Sequence, residues 1–291
     1  MPRKPSLTLK EDKLVKKLYN MGHRAPYIAN KLKVSIGTIS SSIKRQKIGH
    51  NCSEAARKYH FNERFFSEIN TEEKAYWLGF IYADGYISLA ANYSYSIGIS
   101  LAEKDRNHLK KFIKSLDGNN QIKDYSQNTL YKVGTKYSRV LLYSKLMYGD
   151  LIKQGVFEHK TNILKWPQSL PEKLENHFIR GYFDGDGCLT HVLRKKNNHR
   201  LDFAIKILST DAFLTELYKR LKQTNITTPL RFYKRKEHQT VSSLEISGNN
   251  NVEKVLNYMY KDATIYLDRK YDKYNEFISY FYSRAIPKGI A

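Results

Sequence analysis

The sequence predicts an α+β protein made of two consecutive, related α-β-β-α-β-β-α units that follow a small all-α module. Three observations lead there. Residues 75–86 (AYWLGFIYADGY) and 176–187 (NHFIRGYFDGDG) share one pattern: an apolar run, two small residues four positions apart, then Asp-Gly. After each segment the apolar period changes from helical to alternating, and the same order of elements follows at one offset of about a hundred residues. Before residue 50, by contrast, apolar residues recur only at helical spacing.

Residues 1–7 form a short basic leader. Residues 9–21 read as a helix with Leu14, Val15 and Leu18 on one side and Gly22 ending it. Pro26 suits a first helical turn, Ile28, Ala29 and Leu32 make the buried side of a short helix, and Val34 fills the turn after it. Ser35 can cap a third helix whose inner face is Ile39 and Ile43. This spacing resembles a helix-turn-helix, in which the last helix enters the major groove. The outward set is then Gly37, Thr38, Ser41, Ser42 and Arg45, flanked by Lys31, Lys33 and Lys44. Residues 1–48 are therefore read as a DNA-binding module. Residues 49–70 are read as a linker that docks partly onto the next unit through Tyr59, His60, Phe61, Phe65 and Phe66.

Thr71 followed by Glu72 and Glu73 marks a helix start, with a capping hydroxyl and acids in the first turn. Beyond Gly85, Tyr93, Tyr95, Ile97, Ile99 and Leu101 alternate with Ser94, Ser96, Gly98 and Ser100 as one strand. A helix over 105–116, a turn at 118–120, strands over 121–126 and 137–143 and a helix over 144–154 complete the first unit. Residues 161–175, with Pro167 and Pro171, lead into the second. There the spacing predicts strands over 189–194 and 201–208, a helix over 211–222, strands over 230–234 and 241–247, and a helix over 251–260. The units are bounded as 71–165 and 166–291.

The small residues at the two motifs, Gly79 with Ala83 and Gly181 with Gly185, each lie on one helical face. Two such faces allow close backbone approach, which brings Asp84 and Asp186 together at the helix C-termini with Gly85 and Gly187 as left-handed caps. Carboxylates at C-termini oppose the macrodipole and repel each other, and a divalent cation removes both penalties. All-oxygen ligands point to Mg²⁺ or another such ion, Mn²⁺ for example. An EF-hand over Asp184 and Asp186 fails, because Cys188 and Lys195 stand at its fifth and twelfth positions. Neither a phosphate-binding Gly-rich loop ending in Lys-Ser/Thr nor a His-Glu-x-x-His pair is present, so nucleotide hydrolysis and zinc-protease chemistry lack support.

Lys and Arg outnumber Asp and Glu by 50 to 28, a net charge of +22, so a polyanionic partner is expected. No stretch approaches about eighteen uninterrupted apolar residues and no signal peptide opens the chain, which argues against a membrane and for the cytoplasm. Two cysteines are too few for a zinc site and suit a reducing compartment. The 23 tyrosines, with abundant Lys, Asn and Ile, suggest the AT-rich coding of a phage or low-GC bacterium.

The two motif segments resemble the paired motifs of the LAGLIDADG homing endonucleases in their single-chain, two-repeat form. The likeness covers about residues 71 to 285, with 77–85 as the first copy and 179–187 as the second. It implies two repeats forming a DNA-binding saddle, a monomer acting on double-stranded DNA without a protein partner, and cation-dependent hydrolysis of both strands in intron homing. The metal-binding acids carry over to Asp84 and Asp186. Tyr82 replaces the earlier Asp of the motif, which Asp184 retains. The family's basic residues carry over to Lys160 and Lys270, near the nucleophile or the phosphate. The polar sheet faces are expected to offer Arg194, Lys196, Arg200, Lys206, Arg231, Lys234, Arg235 and Lys236 to DNA. The alternatives on the same fold are a non-cleaving DNA-binding regulator and an RNA-binding intron maturase.

Overall fold

A computed structural model describes residues 7–21, 23–46, 48, 59–91, 94–128, 134–194, 200–234 and 240–285. Three helices open the chain: α1 (Leu9–Asn20), α2 (Ala25–Leu32) and α3 (Ile36–Arg45). Each start has a local cause. Thr8 and Glu11 cap α1 reciprocally, Pro26 sits in the first turn of α2, and Ser35 accepts from the Thr38 N–H at 3.1 Å. Val15, Leu18, Ile28, Ala29, Ile39 and Ile43 form their shared core. Leu14, expected on that inner side, stays at the surface with 38% exposure, and the C-cap of α1 is Met21; Gly22 lies outside the described residues.

The module does not stand apart from the rest of the molecule. Tyr27 donates its hydroxyl to Asp117, and its ring lies between those of His23 and His60 at centroid distances of 4.6 and 4.3 Å. Lys31 adds its ammonium 3.6 Å from the same carboxylate. From the expected linker, Phe61, Phe65, Phe66 and Ile69 are buried in the main core.

That core is organised on two helices, α4 (Glu72–Ala83) and α7 (Glu175–Asp186). Every residue of α4 from Ala75 to Tyr82 is buried, as suits a helix apolar all round. The first repeat continues with β1 (Gly85–Leu89), β2 (Tyr95–Ala102), α5 (Arg106–Ser115), β3 (Ile122–Gln127), β4 (Thr135–Tyr143) and α6 (Lys145–Lys153). The second continues with β5 (Gly187–Arg194), β6 (Arg200–Thr210), α8 (Asp211–Lys222), β7 (Phe232–Lys234), β8 (Val241–Ser247) and α9 (Asn249–Tyr260). The antiparallel sheets share one topology, β1-β2-β4-β3 and β5-β6-β8-β7, so the duplication expected from the offset is present in three dimensions.

Alternation decides which sheet face packs on the helices. In β2, Ile97, Ile99 and Leu101 point inward, and in β6, Phe203, Ile205 and Ile207 do so. Tyr93 lies outside the described residues. One element was not expected: α10 (Asp268–Ala285), which buries Tyr274 and Phe277 and closes the second repeat. Its counterpart in the first repeat is a single 3₁₀ turn at Lys160–Asn162.

Candidate active site

The centre follows from two helices that touch backbone to backbone. A Cβ built on Gly79 would stand 2.0 Å from the Phe178 carbonyl oxygen, and one on Gly181 would stand 1.9 Å from that of Tyr76. One on Gly185 would meet the Ala83 Cβ at 2.4 Å and the Asp84 carboxylate at 3.3 Å. The expected small-residue faces thus oppose each other, and Asp84 and Asp186 come together at the paired helix ends.

Gly85 and Gly187 are not left-handed caps. Gly187 is extended (φ −86°, ψ 161°), and both glycines open strands. They are glycines because the helix turn behind them leaves no room. A Cβ on Gly187 would fall 2.0 Å from the Phe183 ring, and one on Gly85 would fall 2.7 Å from the Ile81 Cα.

Asp84 opens toward solvent, yet the crowded helix ends desolvate its carboxyl and Asp186 repels its charge; together they push it up to about 6. Burial also raises Asp186, against the pull of Lys160, Lys270 and the Tyr182 hydroxyl. The two lysines answer the C-terminal dipoles. Lys160 Nζ donates to the carbonyls of Ala83 (3.1 Å) and Gly85, and Lys270 Nζ donates to those of Phe183 (3.2 Å) and Gly187. Burial lowers both, Lys270 to about 8, while Asp84 and Asp186 favour the charged form of Lys160 and Asp184 that of Lys270. The four residues named from the sequence therefore converge on one centre.

A divalent cation fits this donor set. The carboxylates are hard oxygen donors held together against repulsion, and no described residue donates a hydrogen bond to Asp84 in the conformation seen. Among the described residues no third acid, His or Cys joins them, so a hard divalent cation held by Asp84 and Asp186 would take its other oxygen donors from water or a phosphate. The electrostatics yields a measurable sign. With its carboxyl raised above the ordinary 3.8, the folded state holds the Asp84 proton more tightly than the unfolded chain. The resulting cost is absent below the ordinary value and complete above about 6. In metal-free buffer, Asp84→Asn is expected to gain melting temperature relative to wild type as pH rises from 4 to 7, and added Mg²⁺ to reverse that gain. Thermal unfolding across pH measures it; a difference independent of pH contradicts the assignment.

The position two residues before each motif aspartate, Tyr82 or Asp184, does different work in the two repeats. Asp184 is fully buried and accepts from Tyr76 (2.6 Å), Tyr260 and the Leu267 N–H (2.7 Å). Tyr82 instead donates to the Gln154 carbonyl at 2.6 Å. Each side chain fastens the segment that leads to its lysine, Gln154 toward Lys160 and Leu267 toward Lys270. Arg180, also buried, ties Glu72 (2.6 Å) to the carbonyls of Met259 (2.7 Å) and Ile265 (2.9 Å). Neither role of Asp184 nor that of Arg180 was read from the sequence, although a charged residue inside a core-facing apolar helix is a visible signal.

The remaining candidates lie on the sheets and on α3. Lys206 lies in the row of Cys188 and Glu245, paired with Glu245 at 3.1 Å, and Arg200 pairs with Asp202 at the same distance. Arg231 is exposed just before β7. Arg194 belongs to β5. Lys234 is a correction: in β7 it pairs with Ser242, which is buried in line with Leu244, so the strand's alternation puts this position on the core side of the sheet and not on the expected solvent face. The side chains of Arg194 and Lys234, and Lys196, Arg235 and Lys236 entirely, lie outside the described residues. The first sheet was missed: its outer face presents Tyr86, Tyr143, Ser100, Arg139 and Lys123. In α3, Ser41 is exposed, Thr38 is half-buried beside Ser35, and Arg45 pairs with Asp12. Ser42 is a correction. It is fully buried, donating to Asp12 at 2.5 Å, because α1 covers that side of α3.

No helix among the described residues is long and apolar enough to cross a membrane. Residues 173–260 match the family model of the LAGLIDADG-like domain. The meganuclease I-SmaMI bound to uncleaveable DNA superposes with a TM-score of 0.50 at 12% identity, over 73% of this chain and 89% of that one. The LAGLIDADG meganuclease I-AabMI bound to uncleaved DNA gives 0.48 at 15% identity, over 70% and 88%. No curated protein sequence matches the chain. The protein thus carries a LAGLIDADG-like domain over residues 173–260, within a two-repeat fold shared with a meganuclease.

Proposed function

We propose that this protein is a monomeric, site-specific DNA endonuclease that cuts both strands of a duplex at the paired helix ends. The observation that carries this reading is the convergence of one carboxylate and one lysine from each repeat, Lys160 half-buried and Lys270 buried, on the Ala83–Gly185 end of the helix pair. Asp84 and Asp186 would hold Mg²⁺ or Mn²⁺, which supplies charge neutralisation at the scissile phosphate, a more acidic water and help for the departing 3′ oxygen. Lys160 and Lys270 hold positive charge beside the carboxylates, where a phosphate approaching the helix ends meets it. The backbone carbonyls they bind fix their position before substrate arrives. Pseudo-symmetry places one such set on each repeat, matching the two strands of a duplex. β1 and β5 start at Gly85 and Gly187, directly after the two carboxylates, and an antiparallel ribbon fits the major groove. The net charge of +22 matches a polyphosphate backbone.

The direct test is incubation with a randomised site library or host genomic DNA in Mg²⁺ or EDTA, followed by mapping of the ends. Paired breaks at one site in Mg²⁺ and none in EDTA are expected; no cutting in either overturns the reading and leaves a binding protein. We assign residues 1–48 a DNA contact as well, through Ser41, Thr38 and the basic flanks of α3. Deleting residues 1–45 is then expected to weaken duplex affinity and to flatten its dependence on salt, since fewer phosphates are neutralised. Titrations at several salt concentrations decide it, and an unchanged slope removes the module from the interface.

A further inference from the structure

The first sheet holds one cation in an arrangement that the second does not repeat among the described residues. Arg139, in the middle of β4, lies over the rings of Tyr125 and Tyr137 at 5.3 and 5.4 Å, and those rings stack on each other at 5.2 Å and 14°. Its Nε donates to the Ser100 hydroxyl at 2.9 Å. No described carboxylate pairs with it, whereas Lys206 and Arg200 of the second sheet are each engaged by an acid. Its neighbours Val140 and Ser138 are buried on the opposite face, so the guanidinium belongs to the solvent side.

We propose that Arg139 is a specificity residue, reading a guanine through O6 and N7 in the major groove. The proposal rests on the DNA-cleavage reading above and names the base that the first sheet selects. With Nε committed to Ser100, the two terminal nitrogens remain as a planar fork, and a fork of parallel N–H groups matches the two acceptors on the guanine edge. The tyrosine rings and Ser100 already restrict the side chain, so little rotamer freedom is lost on binding. Position matters too. Gly85 pairs with Ile99, so the Ser100–Arg139–Lys123 row runs level with Asp84. Two strand spacings, about 10 Å, separate Arg139 from that end of β1. The guanine therefore lies in the inner part of its half-site, toward the cleavage centre.

The test uses the full-length protein, with cleavage suppressed by EDTA, to select bound duplexes from a randomised pool. Wild type is expected to fix at least one G·C pair in an inner half-site position. Replacing that guanine with 7-deazaguanine, which lacks N7, is expected to weaken wild-type binding by about tenfold to a hundredfold and to leave Arg139→Ala unaffected. Reselection with Arg139→Ala and with Arg139→Lys is expected to relax that pair alone, Lys keeping the charge but not the fork. If both variants select the same pairs as wild type, or if wild type ignores 7-deazaguanine at every fixed position, Arg139 does not read a base. If wild type selects no sequence at all, the site-specific reading itself fails.

Discussion

Asp186→Asn is expected to lower double-strand cleavage by about a thousandfold or more while leaving duplex affinity within a few-fold of wild type. The size follows from the metal-holding role proposed for the carboxylate. Losing one of two anionic ligands removes several kcal/mol of charge stabilisation at the phosphate, and each ~1.4 kcal/mol is tenfold in rate. The retained affinity follows from geometry, because the sheet faces and α3 are untouched and a negative charge has left a surface that must meet phosphates. Asn is nearly isosteric with Asp, so the Ala83–Gly185 contact has no reason to open. Cleavage assays alongside fluorescence titration of one duplex separate the two effects. Strong residual cutting would show that Asp186 is not a ligand; equal loss of cutting and binding would show a folding defect instead.

Gly181→Ala is expected to be the most damaging Gly→Ala change among the described residues. Its Cβ would lie 1.9 Å from the Tyr76 carbonyl oxygen, and that oxygen belongs to a helix backbone that cannot swing aside as a side chain can. To make room, α4 and α7 must separate along the whole crossing, which loosens the core around Phe178 and moves Asp84 away from Asp186. Overpacking ordinarily costs about 1–3 kcal/mol, and a clash between two backbones belongs at or above the top of that range. Chemical denaturation is expected to show a loss of about 3 kcal/mol or more, or no folded protein. Gly149→Ala serves as the control, since nothing lies within 4 Å of a Cβ built there. A Gly181→Ala variant as stable as that control would mean the helices do not pack as described.

These two sites were also the parts most visible in the sequence. Small residues four apart are a steric signal that needs no partner to be recognised, and two copies of the signal supplied the partner. Strand alternation in β2 and β6 was visible for a similar reason, since a half-buried sheet writes its period directly into the chain. What stayed hidden depended on contacts between distant elements. Ser42 sits where an outward residue of α3 should be, and only the approach of Asp12 from α1 buries it. Arg139 was not singled out, because only the β3–β4 register sets Tyr125 opposite Tyr137 beneath it. The helix α10 was passed over although Tyr271, Tyr274, Ile278 and Phe281 recur at helical spacing, because their aromatic and β-branched character reads as strand. Gly85 and Gly187 were assigned a backbone role, whereas the ring of Phe183 and the backbone of Ile81 demand glycine there for space.

Under the proposed DNA-binding role, the joint at Asp117 sets how the module and the sheets search a duplex. Were α1 to α3 merely tethered, they would sample a volume, and each encounter would have to be made twice. Docked through Tyr27, His23 and Lys31, they share one pose with the first repeat, so rigid-body freedom is lost once for both surfaces. The distance between the DNA contacts proposed for α3 and those proposed for the sheets is then a built-in length, and the pitch of the double helix determines which sequences can satisfy both.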